Sequence, residues 1–239
     1  MPYYPSIYGF DPAYLFLVLP CIILALVASA NVKRTFRKYS NQFSSRNITG
    51  AEAAQRVLSA NGVRNVRIEQ VAGELTDHYD PKANTIRLSD DVYHSTSTAA
   101  IGVACHEAGH AVQYAQSYGP IKLRAAIIPI TNIGSKLALP LVLLGIYLYF
   151  MEGLSFFFAY LGIGCYALSL LLQLITLPVE FNASRRAMEA IKHTGLLNEE
   201  EQTGARKTLT AAAMTYVAAM ALSLAHLLRL LMVFRKRRN

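Results

Sequence analysis

Charge is scarce in this chain. Only 16% of its 239 residues are Asp, Glu, Lys or Arg, while 53% are hydrophobic. That balance excludes an ordinary soluble domain, and the apolar surplus is gathered into long runs, the mark of membrane spans. Cysteine is nearly missing too. Cys21, Cys105 and Cys165 are the only three, and none has disulfide or Cys-pair metal spacing, which fits a reducing inner face. The opening "MPYYPSIYGFDP" holds no Lys or Arg, which argues against a cleaved signal peptide, since such a signal starts on basic residues. No internal repeat or low-complexity segment occurs. No nucleic-acid-binding motif accompanies the net charge of +8, so nucleic acid is not an expected partner.

What is present is a set of apolar runs. The first, Ala13–Ala30, carries no charge and is followed by "VKRTFRKY". That order describes an anchor with its N-terminus outside. Two further runs, Gly134–Met151 and Ser155–Pro178, are separated only by "EGL" and read as a helical hairpin whose turn, with Glu152, lies outside. The preceding "KLRAAIIPITNI" rests at the interface or continues a tilted helix. A last run, Thr208–Phe234, is long enough to span, although it contains His226 and Arg229. With the N-terminus outside, Lys33, Arg34, Arg37, Lys38, Lys122, Arg124, Arg185, Arg186, Arg206 and Lys207 fall inside, as the positive-inside rule requires. "RKRRN" (Arg235–Asn239) resists that scheme. Either the tail is an exception or the last helix packs against its neighbours without crossing.

Between the first two spans lies the one long polar region, from about Asn31 to Gly119. "SSRNITGAEAAQRVLSANGV" predicts a helix, with Thr49 and Glu52 as a capping box and Gly62 as the stop. "VRIEQV" (Val66–Val71) alternates as a strand does. "LTDHYDPKAN" supplies turn chemistry, and Thr85–Ser89 predicts a second short strand. "STSTAAIGVACHEAGHAVQYAQSYG" predicts a helix opened by Ser95 or Ser97 and stopped by Gly119; Gln113 and Gln116 keep it out of the spans.

That helix carries His106, Glu107 and His110. A four-residue step returns to the same helix face, so the two imidazoles point one way, about 6 Å apart along the axis. Two histidines so placed can take adjacent positions on a tetrahedral zinc. Glu107 lies about 100° round the helix, where it misses the metal yet reaches a water bound to it. Zinc brings that water's pKa near neutrality, and a carboxylate removes its proton. Two His and a Glu buried without partners would be costly, so a merely structural role is the weaker reading.

A catalytic zinc needs a third protein ligand and one open position. Glu180 in "LPVEFNASRRAMEAI" comes just as the chain returns from the hairpin, where Pro178 allows a helix to begin. Glu189, three turns further on, is the reserve. An intramembrane protease would need the His pair inside a span and a metal-ligating Asp in a later one, but no Asp follows Asp91.

"HEAGH" followed by "PVEFNASRRA" resembles the YugP-like membrane zinc metallopeptidases, and more distantly the HtpX-type heat-shock proteases and the CAAX prenyl endopeptidases. The resemblance covers most of the chain. It implies a gluzincin site, with His106, His110 and Glu180 holding Zn2+ and Glu107 as catalytic base. The distant relatives usually read Glu-Phe-x-Ala-Asp, with the Asp supporting a ligating His; here Ser184 stands at that position, and Asn182 stands nearby. The resemblance also implies an edge strand that binds substrate backbone, for which "TIRLS" is the candidate. Tyr216, His226 and Arg185 are each able to stabilise an oxyanion and are not ranked. His78 and His193 are expected to be structural.

The expected fold is a predominantly α membrane protein. About four transmembrane helices accompany a small α+β gluzincin-like domain at the cytoplasmic face. Its parts are an anchor (1–30), an α+β domain (31–125), a hairpin (126–178), a helix with the third ligand (179–207), and a C-terminal hydrophobic helix with a basic tail (208–239). The expected function is zinc-dependent endopeptidase activity at the cytoplasmic membrane surface. Peptides or membrane proteins are the substrates, and the lipid bilayer is the other partner. The alternative is a membrane scaffold or adaptor with a structural or vestigial zinc site.

Overall fold

The computed structural model describes residues 12–148 and 150–238. The opening stretch placed outside the membrane (1–11), Tyr149, Asn239, the side chains of residues 234–238 in the basic tail, and the side chain of Glu152 in the hairpin turn lie outside the described residues. The protein is mostly helical with one small sheet. Among the described residues four helical stretches are long and apolar enough to cross a membrane: Tyr14–Ser40, Gly119–Tyr147, Gly153–Thr194 and Glu199–Val233.

A π turn (Tyr14–Val18) leads into α1 (Leu19–Ser40). Pro20 stands just after it, and a residue with no N–H and a bulky ring favours a departure from the regular α ladder there. Next comes α2 (Gly50–Ala60), opened by a full capping box: the Thr49 hydroxyl accepts from Glu52 N–H and the Glu52 carboxylate accepts from Thr49 N–H. Gly62, at φ +71°, ends it in the left-handed region where glycine is unstrained. Three strands follow, β1 (Arg67–Val71), β2 (His78–Asp80) and β3 (Thr85–Ser89). A short α3 (Asp90–Tyr93) precedes α4 (Thr98–Ala115), whose N-cap is Ser97. Three long helices complete the chain: α5 (Gly119–Tyr147), α6 (Glu152–Thr194) and α7 (Glu199–Arg238).

The sheet corrects two sequence expectations. "LTDHYDPKAN" contains a strand as well as a turn. The Asp80 carboxylate accepts the N–H groups of Lys82 and Ala83, Asn84 sits at φ +50°, and β2 folds back antiparallel on β3. "TIRLS" is not an edge. It is the central strand, parallel to β1 on one side and antiparallel to β2 on the other. A three-residue polar strand shows no periodicity to read, so its presence beside β3 is invisible in sequence.

The helix boundaries also differ. The break between the hairpin helices falls at 148–151, just before "EGL". No helix begins at Pro178, because α6 runs straight through it. The proline forfeits one hydrogen bond to the Leu174 carbonyl. Beyond it, α6 is held by α4, whose Gln113 donates to the Val179 carbonyl. "KLRAAIIPITNI" lies within α5, which passes Pro129 and Pro140 without ending.

The chain divides into two compact units, one of residues 1–27, 129–173 and 218–239, the other of residues 28–128 and 174–217. In the first, parts of α5 and α6 meet at glycines. A Cβ on Gly145 would lie 2.8 Å from the Ser155 carbonyl oxygen, and one on Gly162 2.8 Å from that of Ala138. Such close backbone approach through small residues is how helices associate where no hydrophobic effect drives them. Val142, Ala159 and Ile163 form a small core there, with Leu227 and Leu230 of α7 against it.

In the second unit α4 is the central element. Ile101, Ala104, Ala108 and Val112 are buried with Val57 and Leu58 of α2, Ile86 and Leu88 of β3, and Ile191 of α6. Glycines again set the distances. Gly102 admits α7, since a Cβ there would lie 3.2 Å from Cα of Ala205, and Gly109 admits α6, with the Ala183 carbonyl oxygen 2.9 Å from its would-be Cβ. Residues 45–46 and the start of α7 are tied by Glu201, which accepts from Ser45 N–H at 2.7 Å and closes a capping box with Asn198.

Candidate metal centre

His106 and His110 leave α4 on one face, and Glu180 reaches them from α6. The His106 Nε2 lies 3.2 Å and the His110 Nε2 3.5 Å from the same oxygen, Glu180 Oε2. One ligand atom from each of the three falls within 4.8 Å of the others, and all three belong to the second unit. Glu180 is 2% exposed. Its other oxygen, Oε1, accepts from Arg124 Nη1 at 2.9 Å, which leaves Oε2 as the one turned to the histidines.

The donor set fits a zinc-like ion. Two imidazoles and a carboxylate are common zinc ligands, and ligand atoms about 2.0–2.1 Å from a tetrahedral ion stand about 3.3 Å apart. The two Nε2 to Oε2 separations bracket that value. The far sides of the rings are also satisfied. Ser184 Oγ is 3.1 Å from His106 Nδ1, and Gln113 Oε1 is 3.0 Å from His110 Nδ1. An Nδ1 that donates its proton outward leaves Nε2 with a lone pair for a metal.

Burial opposes a charge on His110, but the carboxylates of Glu180 and Glu107 outweigh it and hold the imidazole pKa above its ordinary value. Glu107 is buried on α4 and lines, with His106, Glu180, Ser184 and Tyr216, a cavity of about 330 Å³. One face of α1 (Ser29, Val32, Lys33, Phe36) and one of α7 (Leu209, Ala212, Ala213) supply much of its wall. Asp77 lines it too. Its carboxylate accepts from the Ser89 N–H and hydroxyl, while burial pushes its pKa up against those bonds.

Other candidates fall elsewhere. Glu189 is exposed on α6 and is outside the His-Glu group. His78 is exposed on β2, with Nδ1 against the Thr76 carbonyl, and His193 is exposed in the last turn of α6. Of the three unranked groups, Tyr216 lines the cavity, Arg185 is exposed, and His226 belongs to the other unit, beside Tyr166. Ser184 stands where the resemblance placed a group supporting a ligating histidine, whereas sequence reasoning missed Gln113 and Arg124 as partners of the ligands. Gln113 follows His110 by three residues and Ser184 follows Glu180 by four, spacings that share a helix face. Arg124 left no such signal, since it reads as one more basic residue flanking a span.

Residues 14–235 match the family model described as "Putative neutral zinc metallopeptidase". The chain is 45% identical over 226 residues to the "Putative membrane protease YugP" of Bacillus subtilis (strain 168), covering 95% of this chain and 98% of that protein. No solved structure matches. With the family model spanning nearly the whole chain, including both helices that meet at the His-Glu cluster, the protein belongs to this zinc metallopeptidase family.

Proposed function

We propose that the protein is a multi-pass membrane zinc endopeptidase of gluzincin type, with its site at the cytoplasmic surface of the bilayer. The observation that carries the reading is the convergence of His106 Nε2 and His110 Nε2 on Glu180 Oε2 beside a cavity that Glu107 also lines. His106, His110 and Glu180 would hold the ion. When bound, zinc supplies Lewis acidity, lowering the pKa of water and polarising the scissile carbonyl. Glu107 takes a proton from the water as its oxygen attacks the carbonyl carbon, and passes that proton to the amine as the C–N bond breaks. Tyr216, a cavity residue hydrogen-bonded to Glu180, is the hydroxyl assigned to the carbonyl oxygen as negative charge develops there.

Sidedness is argued from charge: the basic residues of 33–38, 122–124, 185–186 and 206–207 fall on the inner side when the N-terminus is outside. Peptides or membrane proteins are the substrates that such a site suits. For an extended substrate the strand edge nearest the site is β2. It packs on α4 through Tyr79 and Tyr114 (ring centroids 5.6 Å apart), and Leu75 and Asp77, just before it, line the cavity. A scaffold built on structural zinc would call for four protein ligands, and the described residues group three.

The test is purified protein assayed for zinc content and for cleavage of an unfolded or membrane-protein substrate. Glu107→Gln should keep its zinc and lose about 10²–10⁴-fold in turnover. Unchanged proteolysis in that variant would remove Glu107 from the mechanism. A chain that loses its fold on chelation and shows no turnover beforehand would favour the scaffold.

A further inference from the structure

The orientation of His110 is set by a buried amide network that ends on groups with fixed hydrogen-bonding character. Gln113 is fully buried, one turn beyond His110 on α4. Its side-chain nitrogen donates to the Val179 carbonyl and to Asn182 Oδ1, both at 2.9 Å. A backbone carbonyl can only accept. Asn182 Oδ1 is likewise fixed as an acceptor, because Arg186 Nε, which can only donate, lies 2.7 Å from it. Arg186 is held in turn by Gln116 Oε1 at 2.6 Å. With both amide hydrogens of Gln113 committed, its Oε1 must be the atom facing His110, at 3.0 Å from Nδ1. An acceptor there calls for Nδ1–H, so the proton that an incoming ion displaces is the one on Nε2, which faces Glu180.

We propose that Gln113 is a positioning residue of the metal centre: through Val179, Asn182 and Arg186 it fixes His110 in the Nδ1–H tautomer and presents Nε2 to the ion. Both outer partners are neutral groups, Ser184 for His106 and this amide for His110. The inference rests on the reading of His110 Nε2 as a metal ligand. Outer partners of ligating histidines typically contribute about 10–100-fold in metal affinity.

The experiment is zinc titration of the full-length protein in detergent micelles, with four chains compared. Gln113→Met keeps the bulk but has no acceptor for Nδ1–H, and should bind zinc about 10–100-fold more weakly. Gln113→Glu keeps an acceptor for Nδ1–H but loses the donations to Val179 and Asn182, so its affinity should fall between those of the parent and Gln113→Met. His110→Ala reports on the metal site itself. Equal affinity in the parent and Gln113→Met, with binding lost in His110→Ala, overturns the inference and leaves the metal site standing. Binding unaffected by His110→Ala removes the metal reading as well. A second measurement needs no variant to fold: ¹⁵N spectra of the zinc-loaded parent should show His110 protonated at Nδ1 and without a proton at Nε2. The opposite tautomer overturns the proposal.

Discussion

Glu180 is asked to do two things at once, and its two oxygens divide the work. Oε1 is tied to Arg124 and Oε2 faces both imidazoles. Replacing Arg124 by Met keeps the stem but frees the carboxylate to rotate and removes its one guanidinium partner, so zinc affinity should fall by about tenfold, with the fold retained. Competition titration against a fluorescent chelator measures this, and an unchanged affinity would show that α4 alone orients Glu180. The raised pKa of His110 gives a pH dependence with a definite sign. Zinc takes only neutral imidazole, so the metal must displace a proton wherever His110 is charged. Apparent zinc affinity should therefore fall as pH drops through the His110 pKa, which lies above the ordinary histidine value. Zinc titrations from the neutral to the acid side measure this. An affinity that stays constant down through the ordinary histidine range contradicts the assignment.

Among the elements, α4 and α6 matter most, because the cluster exists only while they stay close. Gly109 sets that distance. A methyl there meets the Ala183 backbone at 2.9 Å from the carbonyl oxygen, and backbone cannot swing aside as a side chain does. Gly109→Ala should therefore cost about 1–3 kcal/mol in stability and weaken zinc binding, since Ala183 lies between Glu180 and Ser184 on the displaced helix. Gly164→Ala is the control. Nothing lies within 4 Å of its would-be Cβ on α6, so it should be neutral or stabilising by up to about 1 kcal/mol. Thermal unfolding of both variants decides, and equal midpoints would mean the helices can separate without loss. The same elements show what sequence can and cannot say. His106, Glu107 and His110 stand out because their spacing is internal to one helix. Glu180 is reached only by elimination, since the contact closes 74 residues of chain from His106. Gln113 sits at a telling spacing but carries no chemical signature, and β2 is too short and polar to be periodic. The walls that α1 and α7 give the cavity are illegible for a different reason: Lys33 reads as a membrane-flanking charge and Ala212 and Ala213 as packing, until packing brings both faces to His106.

For the whole molecule, the chain's own cysteines make the side of the bilayer that the centre faces measurable. Cys105 is buried and its thiol pKa is pushed far up by burial, so it stays unreactive. Cys21 and Cys165 lie within candidate spans. Single cysteines added elsewhere can then be read against a low background with a thiol reagent that does not cross membranes. Four spans with the N-terminus outside require that Lys192→Cys, on the exposed end of α6, is labelled only after the membrane is opened, while Met151→Cys, 61% exposed between α5 and α6, is labelled in intact cells. The tail discriminates the remaining alternatives. If α7 crosses, Lys236→Cys is labelled from outside despite the surrounding "RKRRN", and the positive-inside rule has one exception in this chain. If α7 packs without crossing, Lys236→Cys behaves as Lys192→Cys does. Labelling of Lys192→Cys in intact cells would reverse the whole arrangement. It would put the His-Glu cluster outside, where the reducing interior that suits three unpaired cysteines no longer surrounds it.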